Sequence, residues 1–129
     1  MNRRIIVYLI ILLSLGETTV AGSTPSTWYN IYEQLGMHDG QAIGFYLTKG
    51  TGNLILNCDA YNNHDSLSEN GRGGNTDGFG CHPRSAADSN NVFRGCRAWF
   101  NSDDGYDCIN GFTATVFDHC WAFPRAAAN

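Results

Sequence analysis

The sequence has 129 residues, and its 12 acidic and 8 basic residues give a formal net charge of −4. This length allows one domain at most. The acidic balance argues against a nucleic-acid partner, because nucleic acids are bound mainly through clusters of Lys and Arg.

The first 22 residues have the three-part layout of a secretory signal peptide. Arg3 and Arg4 precede an apolar run over 5–15, and small residues follow it. The run is too short to span a bilayer comfortably, although an uncleaved signal anchor is the alternative. We therefore expect 1–22 to be a signal peptide and 23–129 to be a secreted, extracellular domain with no membrane contact after cleavage.

The segments that follow are predicted to be mainly short β-strands. Residues 31–37 are predicted to form a short helix or a cap, and the polar, Gly-rich stretch 64–75 a long loop. Gly-bounded or alternating apolar runs predict strands. In chain order these strands are 40–50, 53–61, 76–82, 91–99, 104–109 and 113–123.

Two sequence patterns repeat and alternate along the chain. Asp-Gly-aromatic-x-Cys occurs at 77–81 and at 104–108, a spacing of 27 residues. Cys-x-Ala begins at Cys58, Cys96 and Cys120 after similar apolar stretches. Such periods indicate stacked coils with at least two strands each. The sequence therefore predicts an all-β fold, a right-handed parallel β-helix of about three coils. A β-sandwich is the second possibility, but sandwiches do not repeat Cys in register.

Five cysteines in a secreted chain would ordinarily suggest disulfides. Here they occupy repeated positions, at which a stacked coil would form an interior ladder of small apolar side chains. We therefore expect buried thiols, with disulfides as the alternative.

Four carboxylates gather at the first repeated pattern: Asp77, Asp103, Asp104 and Asp107. In stacked parallel strands, Asp77 and Asp104 would lie about 4.8 Å apart, which is unfavourable unless a cation lies between them. Oxygen ligands in a flexible arrangement suit Ca²⁺. The alternative is that the Asp-Gly pairs simply form turns. Asp103 and Asp104 can both bind only if the chain turns there, because strand neighbours point to opposite faces.

For the other polar residues, a structural role is an alternative to each functional role that the sequence suggests. The histidines and cysteines lack zinc-site spacing. Arg94 and Arg97 could bind the carboxylate of an acidic sugar, or could be solvated charges on the outer face of a strand. Several asparagines near strand ends are predicted to be turn or stacked-amide residues, any of which could also add a carbonyl to the calcium shell: Asn57, Asn62, Asn63, Asn101 and Asn110.

Residues 40–123 resemble the family 9 polysaccharide lyases, the β-helical pectate lyases. The resemblance is strongest at 57–63, 75–79, 91–98 and 101–107. It implies that the four aspartates named above bind a catalytic Ca²⁺. It also implies β-elimination of polygalacturonate, an acidic polysaccharide, with a lysine on a later coil removing the C5 proton.

The sequence departs from that family in its basic residues. Its only lysine, Lys49, precedes the calcium motif, and the region expected to carry the base is absent after Phe123. The catalytic residues are therefore unknown, and the chain looks like the N-terminal part of a lyase with an open β-helix end that favours self-association. Two further hypotheses remain: a non-catalytic module that binds acidic polysaccharide, and a small disulfide-stapled secreted protein.

Overall fold

The computed structural model describes residues 28–67, 71 and 73–124. The predicted signal peptide lies outside these residues. Within the described ranges, no helical segment has the length and hydrophobicity that a bilayer span requires.

The described chain forms eleven short β-strands. In order they are β1 (Ile31–Glu33), β2 (Gly36–His38), β3 (Phe45–Leu47), β4 (Leu54–Leu56), β5 (Asp59–Tyr61), β6 (Phe79–Cys81), β7 (Val92–Arg94), β8 (Arg97–Trp99), β9 (Tyr106–Asp107), β10 (Val116–Asp118) and β11 (Trp121–Phe123).

These strands stack into three parallel sheets. Sheet A has the order β1-β4-β7-β10, sheet B has β11-β8-β5-β2, and sheet C has β3-β6-β9. Each coil therefore contributes one strand to each sheet, and β10 and β11 begin a further coil. The prediction of an all-β parallel β-helix of about three coils is confirmed.

The prediction of a helix or cap over 31–37 is wrong. This segment forms β1 and β2, which pair with β4 and β5. Gln34 turns the chain between them with a φ of 55°. It takes the corner position that Asn57 takes one coil later.

Three of the predicted strands are each two strands separated by a corner. The corner residue has a positive φ in every case: Asn57 (50°), Gly95 (63°) and His119 (52°). Because such a φ breaks the extended backbone, the chain passes there from sheet A to sheet B. The other predicted strands are confirmed in place, although each is only two or three residues long.

The interior is a continuous stack of apolar side chains. Phe45, Phe79 and Phe93 are buried and contact one another, with ring centroids 5.7 to 6.4 Å apart. In sheet B the interior column runs through Met37, Ala60, Ala98 and Ala122 in register. This column explains the repeated Ala of the Cys-x-Ala pattern.

All five cysteines lie in the described part of the chain and are free thiols. Cys58, Cys81 and Cys96 are buried, and Cys120 is partly buried. Cys108 differs from the expectation because it follows the end of β9 and is exposed. Burial raises the pKa of the Cys81 thiol to about 11.

Candidate metal centre

The predicted acidic cluster lies at the corner between sheets B and C. Asp77 precedes β6, and Asp103 and Asp104 precede β9. Because Phe79 pairs with Tyr106, Asp77 stacks directly on Asp104. The backbone N–H of Asp104 donates to Oδ1 of Asp77 at 3.1 Å. The 27-residue spacing therefore corresponds to one turn of the coil.

Three carboxylates approach closely enough to share one ion. One oxygen each from Asp77, Asp103 and Asp104 lies within 4.8 Å of the other two. Oxygens bound to Ca²⁺ at about 2.3–2.6 Å can be up to about 5 Å apart across the ion. Asp103 and Asp104 both belong to this group because the chain bends at Ser102 and Asp103 before it enters β9. The donor set and its spacing fit calcium.

Asp77 is the buried member of the cluster, with 3% of its surface exposed. Burial raises the pKa of Asp77 to about 6, the hydrogen bond from the Asp104 N–H opposes this shift, and the nearby carboxylates of Asp107, Asp103 and Asp104 add to it. An ionised Asp77 is therefore unfavourable in this corner without a cation. This is the physical reason for testing the cluster as a metal centre.

Buried amides hold the corner in place. The side chain of Asn101 accepts a hydrogen bond from the Asn63 amide at 2.9 Å and donates to the Ala60 carbonyl at 3.0 Å. Both asparagines are almost fully buried, and Asn101 lies two residues before Asp103. The predicted stacked-amide role is confirmed for these two residues, while Asn57, Asn62 and Asn110 adopt the left-handed backbone of turns.

The glycines of the repeated pattern, Gly78 and Gly105, are required because a side chain would clash at these positions, and not because of their backbone conformation. A Cβ at Gly78 would come within 2.7 Å of the Gly105 carbonyl oxygen and 2.9 Å of Ala98 Cβ. A Cβ at Gly105 would come within 2.4 Å of Ala122 Cβ. Neither glycine has a positive φ. The repeated Asp-Gly pairs are therefore not explained by turn formation alone.

Asp107, the fourth predicted ligand, lies outside the group of three. Its Oδ2 is 3.0 Å from Nε2 of His82, and its Oδ1 accepts the Ile109 N–H at 2.7 Å. It is still near enough for its charge to act on Asp77. Its role as a ligand stays a prediction.

The two arginines are already paired with carboxylates. Arg97 forms two hydrogen bonds to Asp59, at 2.5 and 2.6 Å, on the outer face of sheet B. Arg94 donates to Asp118 at 2.7 Å on sheet A. Contact with an acidic sugar stays a prediction for both, and the structure shows the simpler role of outer-face charges.

Lys49 lies far along the strand direction from the acidic cluster. It follows the carboxyl end of β3, whereas Asp77 precedes the amino end of β6, the neighbour of β3. It is exposed. Lys49 and the carboxylates therefore lie at opposite ends of sheet C.

Sequence reasoning missed two residues on the outer face of sheet C that connect to Asp107, namely His82 and Tyr46. His82 directly follows β6, and Tyr46 lies in the middle of β3. Neither position is repeated along the chain, so the periodic patterns carried no signal for them. The available signal was that His82 immediately follows the Asp-Gly-aromatic-x-Cys pattern.

The comparisons with known proteins agree on one family. The family described as "Pel9A-like, right handed beta helix region" matches residues 14–129. Pectate lyase L of Dickeya chrysanthemi is 36% identical over 96 residues, which make up 74% of this chain and 21% of that protein. Pectate lyase PEL9 of Emericella nidulans is 34% identical over 79 residues, which make up 60% of this chain and 18% of that protein.

Two solved structures share the fold. A rhamnogalacturonan lyase aligns with a TM-score of 0.69 and 56% identity, covering 73% of this chain and 23% of that one. Pectate lyase Pel9A aligns with a TM-score of 0.66 and 31% identity, and the alignment covers 79% of this chain and 25% of that one. The chain spans about a fifth of the length of the curated relatives it matches. With its stacked parallel sheets and its repeated sequence patterns, the chain belongs to the Pel9A-like family of right-handed β-helices, a family of pectate-lyase-like folds.

Proposed function

We propose that this chain forms the calcium-binding part of a polysaccharide lyase β-helix that acts on acidic pectic polysaccharide. The observation that carries the proposal is the group of three carboxylates, Asp77, Asp103 and Asp104, within 4.8 Å of one another in a Pel9A-like fold. In this proposal Asp107 is the fourth acidic residue of the centre.

Each residue has a distinct part in holding the ion. Asp77 presents a buried carboxylate whose charge the Asp104 N–H compensates in part and a bound cation would compensate further. Asp103 and Asp104 are exposed, so they bind on the side from which substrate arrives. Calcium held by Asp77, Asp103 and Asp104 would supply a positive charge that attracts the carboxylate of a uronate and stabilises the negative charge that develops at the sugar during β-elimination.

The proton acceptor is not assigned to any described residue. Lys49 lies at the opposite end of sheet C from the acidic cluster, so it is too distant to remove a proton from a sugar bound there. We therefore propose that this chain alone binds calcium and acidic polysaccharide but does not complete the lyase site.

Two names among the similar proteins suggest different substrates. The curated relatives are pectate lyases, which favours polygalacturonate. The solved structure with 56% identity is a rhamnogalacturonan lyase, which makes the rhamnogalacturonan backbone a second candidate. Both candidates carry uronate carboxylates, so the same calcium centre serves either.

Export from the cell is part of the same proposal. Pectic substrates are extracellular, and the charged, apolar and small-residue segments of 1–22 fit a signal peptide. Expression of the full chain in a secreting host, followed by N-terminal sequencing of the exported protein, tests this. A mature N-terminus near Ser23 is expected, and retention of residues 1–22 would contradict it.

The activity is tested by ultraviolet absorbance of unsaturated product. The purified chain is incubated with polygalacturonate or with rhamnogalacturonan, with calcium or with a chelator. We expect no product from either polymer, together with calcium-dependent retention of the chain on the polymer it recognises. Calcium-dependent product would show that the chain holds a base of its own. Equal retention with and without calcium would contradict the proposed centre.

A further inference from the structure

A hydrogen-bonded chain crosses the outer face of sheet C and ends at Asp107. Tyr46 Oη is 3.0 Å from Nδ1 of His82, and His82 Nε2 is 3.0 Å from Oδ2 of Asp107. The three residues come from or directly follow the three strands of the sheet. The outer face of sheet C therefore links its first strand to an acidic residue of the candidate centre.

The middle strand leaves room for this chain. Gly80 pairs with both Tyr46 and Asp107 in the register of the sheet. A Cβ at Gly80 would come within 2.7 Å of the Tyr46 ring. The ring therefore lies across Gly80 and meets the imidazole edge-on, with centroids 5.0 Å apart and an interplanar angle of 87°. Any other residue at position 80 would push the tyrosine away from His82.

The hydrogen-bond partners of His82 determine which of its two ring nitrogens carries the hydrogen when the imidazole is neutral. A carboxylate only accepts hydrogen bonds, so Nε2 of His82 must carry the hydrogen that it donates to Asp107. Nδ1 is then the acceptor, and the Tyr46 hydroxyl donates to it. The side chains of His82 and Asp107 are only 17% and 22% exposed, which limits competition by water.

The Asp107 carboxylate is thus fixed at both oxygens. His82 holds Oδ2 and the Ile109 N–H holds Oδ1. Each carboxylate oxygen has a second acceptor site, so an oxygen held in this way can still face a cation. Partners of this kind orient metal ligands and raise their affinity for the metal.

We propose that His82, itself oriented by Tyr46, is the positioning residue that fixes the carboxylate of Asp107, the fourth acidic residue of the proposed calcium centre. The inference rests on the proposed function, because it requires calcium at Asp77, Asp103 and Asp104. His82 contacts neither metal nor sugar and acts through Asp107.

The test is calcium affinity of the full chain, measured by calorimetric titration after metal removal. His82→Ala is expected to weaken binding by about tenfold or more, as for other residues that orient a ligand. His82→Gln keeps an N–H donor near the Nε2 position and should restore most of the affinity. Tyr46→Phe removes one hydrogen bond and should weaken binding by about fivefold.

Controls separate positioning from loss of structure. His119→Ala removes a His–Asp pair on sheet A and should leave affinity unchanged. Melting in a chelator verifies that each variant folds. In the Asp107→Asn background, His82→Ala should have no further effect on affinity, because its influence passes through Asp107.

The outcomes distinguish this inference from the proposed function. A wild-type chain that binds no calcium contradicts the proposed function itself. A wild-type chain that binds calcium, with unchanged affinity in Tyr46→Phe and His82→Ala, overturns the inference alone. Additive effects of His82→Ala and Asp107→Asn would also overturn it. If His82→Ala does not fold, Tyr46→Phe and His82→Gln decide the question.

Discussion

Asp77 is the residue on which the candidate centre depends most. It is the buried carboxylate of the three, and it stacks on Asp104 one coil later. Exposed acidic groups are easily hydrated, whereas a buried one needs a partner or a proton. Asp103 and Asp104 add negative charge and ligand oxygens around Asp77.

Asp77→Asn should separate calcium binding from folding. The amide removes the buried charge, so the metal-free protein should melt at the same temperature or higher. The added stability that calcium gives the wild type, about 2.7 kcal/mol at a hundredfold excess over the dissociation constant, should disappear. Thermal melting with calcium and with a chelator measures both effects.

Asp118→Asn is the matched control, because that carboxylate pairs with Arg94 on sheet A. It should keep the full calcium-dependent shift. A normal calcium shift in Asp77→Asn would remove Asp77 from the centre.

The raised pKa of Asp77 predicts opposite pH dependences with and without calcium. The carboxyl of Asp77 has a pKa of about 6 in the metal-free folded chain, against 3.8 for an unperturbed aspartate. The folded state therefore binds the extra proton between these values, and metal-free stability should fall as pH rises through about 4 to 6. This loss is at most about 3 kcal/mol. Calcium competes with that proton, so its affinity should rise over the same range.

Melting curves at pH 5 and pH 7, each with calcium and with a chelator, test this pair of trends. The calcium-induced shift should be larger at pH 7. A shift that is equal at both pH values in the wild type would mean that Asp77 does not titrate as described.

Among the structural elements, the corner between sheets B and C depends on buried amides. Asn101 stacks on Asn63 and leads directly into the bend that carries Asp103 and Asp104. Its side chain also ties the corner to the Ala60 carbonyl of the neighbouring coil. The geometry of the acidic cluster is therefore set by neutral residues inside the coil.

Asn101→Ala should cost about 2–4 kcal/mol of stability, because it removes the acceptor for the backbone and side-chain N–H groups of Asn63 and the donor to the Ala60 carbonyl. Chemical denaturation measures this loss. It should also weaken calcium binding, since the bend loses its anchor. Asn90→Gly, at an exposed corner with a φ of 56°, should change stability by less than about 0.5 kcal/mol. Equal stability of both variants would contradict the scaffolding role.

Repetition determines how much of these elements could be predicted from sequence. The Asp-Gly-aromatic and Cys-x-Ala patterns recur in register, so the coil, the sheet interior and the acidic cluster were all predictable. The first coil was not, because Leu35 and Met37 stand where later coils have Cys and Ala. The corners inside the long predicted strands were missed because a single residue with a left-handed backbone conformation, such as Asn57, leaves the apolar sequence pattern intact. His82 and Tyr46 meet only through the lateral register of sheet C, which no local pattern encodes.

For the molecule as a whole, β9, β10 and β11 form the sheet edges at one end of the coil. Each of these strands has a neighbour on one side only among the described strands. Val116 and Phe123 on the last two strands are 52% and 60% exposed. Unpaired edges with apolar side chains favour the addition of further strands.

We therefore expect the 129-residue chain to self-associate through this end. Sedimentation velocity over a range of concentrations should show species larger than the monomer. The double variant Val116→Lys and Phe123→Lys places charge on the two edges and should shift the equilibrium to monomer. A control variant away from the sheet edges, Leu67→Lys, replaces an apolar side chain that is 85% exposed and should leave association unchanged. A wild type that is monomeric at every concentration would contradict this prediction.

We propose above all that Asp77, Asp103 and Asp104 form a calcium centre in this β-helix. Calorimetric titration of the metal-free wild-type chain with Ca²⁺ at pH 7, beside Asp77→Asn, tests it most directly. We expect the wild type to bind one ion per chain and the variant to bind none. No binding by a folded wild-type chain, or the same binding by Asp77→Asn, would contradict it.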